Sequence, residues 1–107
     1  MTQPDPNRIA DLEELYADEP EDPLAGFMLA SEYAKAARPS DAARVFRGVV
    51  AVDPDYSAAW AGLANALEAQ GLVAEARAAW TDAAASAARK SDKQVARQAE
   101  AALSLLR

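Results

Sequence analysis

The spacing of apolar positions divides the chain into six amphipathic stretches separated by breaks. Ile9, Leu12, Leu15 and Tyr16 recur at helical intervals and predict one apolar stripe on a helix from about Asn7, an acceptable N-cap, to about Ala17. The run from Asp18 to Pro23 ends it, because proline disfavours helix at the residue before it. Asp22 then caps a second helix with Pro23 in its first position, carrying Leu24, Phe27, Leu29, Ala30, Tyr33 and Ala34 to about Ala37. Arg38, Pro39 and Ser40 predict a turn. Ser40 or Asp41 is the expected cap of a third helix that turns Ala42, Val45, Phe46, Val49 and Val50 inward and stops at Asp53-Pro54-Asp55. A fourth helix follows from about Tyr56 to Gln70 and a fifth from about Val73 to Arg89. Gly71 between them sits where a left-handed residue is wanted. Ser91-x-x-Gln94 reads as a capping box for a sixth helix to about Leu106. That helix buries Val95, Ala99, Ala102, Leu103 and Leu106 and exposes Lys93, Arg97 and Glu100. Residues 1–6, with two prolines and nothing to bury, are expected to be disordered.

Composition sharpens the class. About a quarter of the 107 residues are alanine and only 7% are aromatic, so closely packed helices must rely on a few large side chains for most of their burial. No run of alternating β-branched residues suggests a strand, and the class is all-α. With no cysteine and no histidine, the chain lacks disulfides, thiolate sites and the commonest general base and metal ligand. No cofactor or metal is expected. Apolar runs fall short of a membrane span and the N-terminus has no apolar signal core, so a cytoplasmic location with no membrane partner is expected. The net charge of -6 argues against a nucleic-acid partner. Eight acids against one base fall within residues 1–23, a distribution suited to solvated helix starts.

The stretches repeat. A shift of 34 residues superposes Leu29 on Leu63, Ala30 on Ala64, Tyr33 on Leu67, Ala42 on Ala76, Phe46 on Trp80 and Pro20 on Pro54. It also brings Leu12 onto Phe46 and Leu15 onto Val49, so the first helix behaves as the second half of an incomplete leading unit. Alanines at 30, 42, 64 and 76 allow close helix approach, while Phe46, Trp60 and Trp80 fill the spaces between.

A helical period of this length, with Trp60-x-x-Leu63-Ala64-x-x-Leu67 followed by Ala76-x-x-x-Trp80, resembles the tetratricopeptide repeat family in the form of a small bacterial-type member. Ala42, Phe46 and Pro54 match the second-helix pattern in the earlier copy. Gly26 stands where the family has its first tryptophan, Leu67 where it has tyrosine, and Ala88 where the second copy would have proline. The missing proline implies that the fifth helix runs on. The resemblance implies antiparallel helix-turn-helix repeats stacked as a short right-handed α-solenoid of about six helices. Its expected parts are a leading half-repeat helix over 7–18, repeats over 22–54 and 55–89, and a C-terminal capping helix over 91–107, all in one domain from 7 to 107.

In that family the first helix of each pair lines a concave groove that holds a peptide or a partner's helix. The resemblance therefore implies a groove showing Leu24, Phe27, Ser31, Ala34 and Lys35 from one repeat and Ala58, Ala61, Asn65, Glu68 and Ala69 from the other. Of these, Phe27, Ser31, Lys35, Ala61, Asn65 and Glu68 are the candidate binding residues. Phe27 is equally suited to filling the space beside Gly26. Lys35 and Asn65 alone do not make the cationic clamp by which some members hold a C-terminal carboxylate. No phosphate loop, nucleophile motif or separated pair of carboxylates marks catalysis, so the expected role is a non-catalytic module binding a protein or peptide. The alternative is a homodimeric assembly element using the last helix, where Leu105 lies off the buried stripe. A capping helix on a monomer is the favoured expectation.

Overall fold

The computed structural model describes residues 6–106, which form six helices: α1 (Pro6–Asp18), α2 (Pro23–Lys35), α3 (Pro39–Val52), α4 (Ser57–Ala69), α5 (Val73–Lys90) and α6 (Lys93–Leu105). Consecutive helices pack on each other, most extensively within the α2–α3 and α4–α5 hairpins. Alternate helices α2, α4 and α6 also touch, which stacks the hairpins side by side as a short solenoid. Of the segment expected to be disordered, residues 1–5 lie outside the described residues, and Pro6 already begins α1. Asn7 is thereby inside the helix and not its cap.

Left-handed turns set the hairpins. Ala37 after α2, Gly71 after α4 and Ser91 after α5 all have positive φ. In each case the next residue's N–H reaches back five positions: Arg38 to the Tyr33 carbonyl at 2.9 Å, Leu72 to Leu67 at 3.0 Å, and Asp92 to Ala87 at 2.9 Å. These bonds close the last turn of each helix in the Schellman manner.

Two further helix starts differ from expectation. Helix α3 begins at Pro39, with Arg38 in the cap position making no side-chain cap bond. Proline in the first helical position has no N–H to satisfy, so the start moves ahead of Ser40 and Asp41. Asp41 instead sits in the first turn and accepts from Arg38 Nε at 2.9 Å. Ser91 does not cap α6, because its left-handed backbone completes the turn after α5. The cap is Asp92, whose Oδ1 accepts from the Val95 N–H at 3.1 Å.

The core runs through the stack. Leu29, Ala30, Tyr33, Ala42, Phe46, Leu63, Ala64, Leu67, Ala76 and Trp80 are all buried, so both copies of the repeated pattern face inward. Trp80 keeps 3% of its surface exposed, and its indole N–H donates to the Glu68 carboxylate. Trp60 is only half-buried, with its indole N–H donating to the Pro54 carbonyl at 2.8 Å, so it also fastens the loop before its own helix. Gly26 allows α3 to approach α2, since a Cβ there would stand 2.6 Å from a Val49 methyl. Helix α5 is 18 residues long against 14 for α3, in keeping with Ala88 in place of the helix-stopping proline.

Helix α1 buries Ile9 and Leu12 but leaves Leu15 41% exposed, against the single four-residue stripe expected. The reason is that α1 packs chiefly on α2, with the Tyr16 hydroxyl reaching Gly48 of α3, and has no earlier helix to cover its other flank. Polar contacts supplement this short interface. Arg8 and Lys35 bind the buried Glu32 carboxylate at 3.3 and 3.1 Å, and the Tyr33 hydroxyl donates to Glu13. Burial and then the Glu13 carboxylate push the Tyr33 hydroxyl pKa up, while the Arg38 guanidinium lies 4.5 Å over its ring.

Candidate interaction groove

Helices α2, α4 and α6 form one wall of the stack, with their starts at the same end. Ser57 in the first turn of α4 donates from Oγ to Asp92 Oδ2, the cap of α6, at 2.6 Å. At the other end Gln70, after α4, donates from Nε2 to the carbonyl of Pro39, after α2, at 3.3 Å. Between these ties lies a groove of about 760 Å³, within the size range of ligand-binding clefts.

Its floor is aromatic. The Phe27 ring meets Phe46 edge-on at 5.8 Å and stacks on Tyr56 at 4.9 Å with 18° between planes. Phe46 belongs to α3, behind the wall, and reaches the groove past Gly62, where a Cβ would overlap its ring. The sides are mainly small: Ala34 and Ala37 from the α2 region, and Ala58, Ala61, Ala66 and Ala69 from α4. Ser31, Asn65, Gln94 and Gln98 supply uncharged donors and acceptors, and Asp92 is the one charged side chain lining the groove among the described residues.

The Ser57 hydroxyl and then the Val95 N–H stabilise the Asp92 carboxylate and lower its pKa below 3.8. It is therefore ionised throughout the neutral range. At the same end, burial chiefly and then the nearby Asp53 and Asp22 carboxylates raise the Tyr56 pKa, so Tyr56 is a neutral phenol beside Phe27.

Four of the six candidates, Phe27, Ser31, Ala61 and Asn65, come together in this groove. Lys35 and Glu68 do not line it. Lys35 is drawn to Glu32 three residues earlier, and Glu68 turns to the Trp80 indole. Leu24 also falls outside the lining and is exposed. Phe27 combines both expected roles in part: it packs against Phe46 and Tyr56 while offering a face to the groove, and Gly26 beside it meets Val49 and Tyr16 instead. Sequence reasoning missed Phe46, Gly62 and the contribution of α6. A glycine in the middle of α4 was the available signal, since that residue weakens a helix unless a close approach requires it.

A stack of helical hairpins with a lined concave face defines a repeat-type interaction scaffold. The model of the tetratricopeptide repeat family matches residues 27–93, and the chain belongs to that family. It is 37% identical over 90 residues to the TPR repeat-containing protein PA0015 of Pseudomonas aeruginosa, covering 84% of this chain and 86% of that one. The solution structure of protein BPP2914 from Bordetella parapertussis is similar at a TM-score of 0.77 and 33% identity, over 92% of this chain and 85% of that one. Tetratricopeptide proteins are in general protein-interaction modules without catalysis of their own. No helix among the described residues is long and apolar enough to cross a membrane.

Proposed function

We infer that this chain binds a short segment of a partner protein in the groove between α2, α4 and α6. The observation that carries the reading is the groove's make-up. A partly buried aromatic floor, small walls and a set of amides offer an apolar anchor point together with partners for a peptide backbone. A groove of about 760 Å³ takes a few residues and not a whole domain, so the affinity for one segment is expected to be modest. No chemistry is assigned to the chain, which acts by holding its partner.

Asn65 gives a clean test because it is exposed on α4 and lines the groove. Asn65→Trp fills the groove without entering the core. Panning a displayed library of random dodecapeptides on the intact chain should enrich a defined pool that Asn65→Trp no longer captures. A pool retained by Asn65→Trp, or no pool at all, would remove the groove as the binding surface.

A second reading rests on Leu105, which is 83% exposed near the end of α6. In it the last helix pairs with another copy and the dimer is the working form.

A further inference from the structure

The groove is uncharged except at one end, and that end is negative. Asp92 lines it where α2, α4 and α6 begin, and the Phe27–Tyr56 stack occupies the same end. Of the bases near the groove in sequence, Lys35 is engaged by Glu32, Arg38 by Asp41 and Arg89 by Asp55, while Lys93 and Arg97 on α6 are exposed and stay out of the groove lining. Asp22 and Asp53 lie close enough to act on the Tyr56 hydroxyl, which adds negative potential around the aromatic pair. The chain as a whole carries a net charge of -6.

A carboxylate offers about four lone-pair sites. Asp92 meets the Ser57 hydroxyl and the Val95 N–H, and the Gln94 N–H also acts on it, so a site remains for an incoming donor. Its full charge exceeds the roughly half charge of the helix start it caps. An acidic peptide would meet repulsion here, and a neutral one would desolvate Asp92 without compensation. A lysine or arginine would gain a charge-assisted hydrogen bond and an aromatic face to rest on.

Building on the groove reading above, we propose that the groove selects a basic segment of a partner protein. A lysine or arginine of that segment pairs with Asp92, and a neighbouring large apolar side chain lies on the Phe27–Phe46 floor.

Two variants probe the charge while keeping the fold. Asp92→Asn retains a residue that caps as well as aspartate. Gln98→Lys places a positive charge on an exposed groove position of α6. Circular dichroism and melting confirm that each variant is folded. The probes are synthetic fluorescein-labelled peptides from the pool enriched on the intact chain, read by anisotropy. The expected pool carries lysine or arginine next to an aromatic or large aliphatic residue, and its members bind Asp92→Asn roughly tenfold more weakly. Gln98→Lys should weaken them in the same direction. A pool that Asn65→Trp loses but that is neutral or acidic, or that binds both charge variants as tightly as the intact chain, overturns the basic selection and leaves the groove standing. A pool that Asn65→Trp retains overturns both.

Discussion

Ala37 takes φ of 58° at the position where the next hairpin has Gly71 at 75°. A residue with a Cβ pays about 1–2 kcal/mol for that conformation, while glycine loses about 0.5–1 kcal/mol more backbone freedom on folding. Ala37→Gly should therefore stabilise the protein by up to about 1 kcal/mol, read as a higher urea midpoint at unchanged slope. The opposite sign would show that the turn stores no strain at Ala37. Trp80 marks the other extreme of single-residue effects. Trp80→Ala removes a buried ring together with the hydrogen bond it gives to Glu68, and should cost about 3–5 kcal/mol. Unchanged melting of that variant would place the ring on the surface.

At the scale of helices, the apolar spacing was a good guide because each helix buries one face and the breaks carry proline, glycine or a capping residue. Helix starts were harder to read. Ser91 and Asp92 are both good caps in isolation, and only the turn after α5 decides between them by taking Ser91 left-handed. The groove was legible where it depends on one face of a single helix, as at Phe27 and Ser31 of α2 and at Ala61 and Asn65 of α4. It was illegible where it depends on neighbours: a ring from α3 showing past Gly62, or Glu68 captured by a tryptophan twelve residues on. The loss of Lys35 to Glu32 was readable in principle, since residues three apart share a helix face. Asp92 has three roles, capping α6, receiving the Ser57 hydroxyl of α4 and lining the groove. Its folded pKa is depressed, so its stabilising contribution is present above the ordinary value of 3.8 and fades as pH falls through the lower folded value. Asp92→Ala should lower the melting temperature most near neutral pH, with the gap to the parent chain closing below about pH 4. A gap independent of pH would mean that the carboxylate's charge contributes nothing.

For the whole molecule, the two ends of the stack are finished differently. Helix α1 shows Leu15, and α6 shows Leu105 near its end. Single exposed leucines are ordinary on protein surfaces, and a stable interface needs about 1,000 Å² or more with a continuous apolar centre. Size exclusion coupled to light scattering at tens of micromolar should therefore give a mass near 11.3 kDa. A mass near twice that value would favour the reading in which α6 pairs with another copy. Gly62 has a consequence beyond packing. By letting the buried Phe46 ring reach the groove floor, it makes one ring serve the interior of the protein and the lining offered to a partner. Evolution cannot reshape that patch without also repacking α3, so a change of binding preference at the floor must arrive together with a compensating change inside. The amides of Asn65, Gln94 and Gln98 along the rim carry no such tie to Phe46, and specificity in this lineage is free to drift there first.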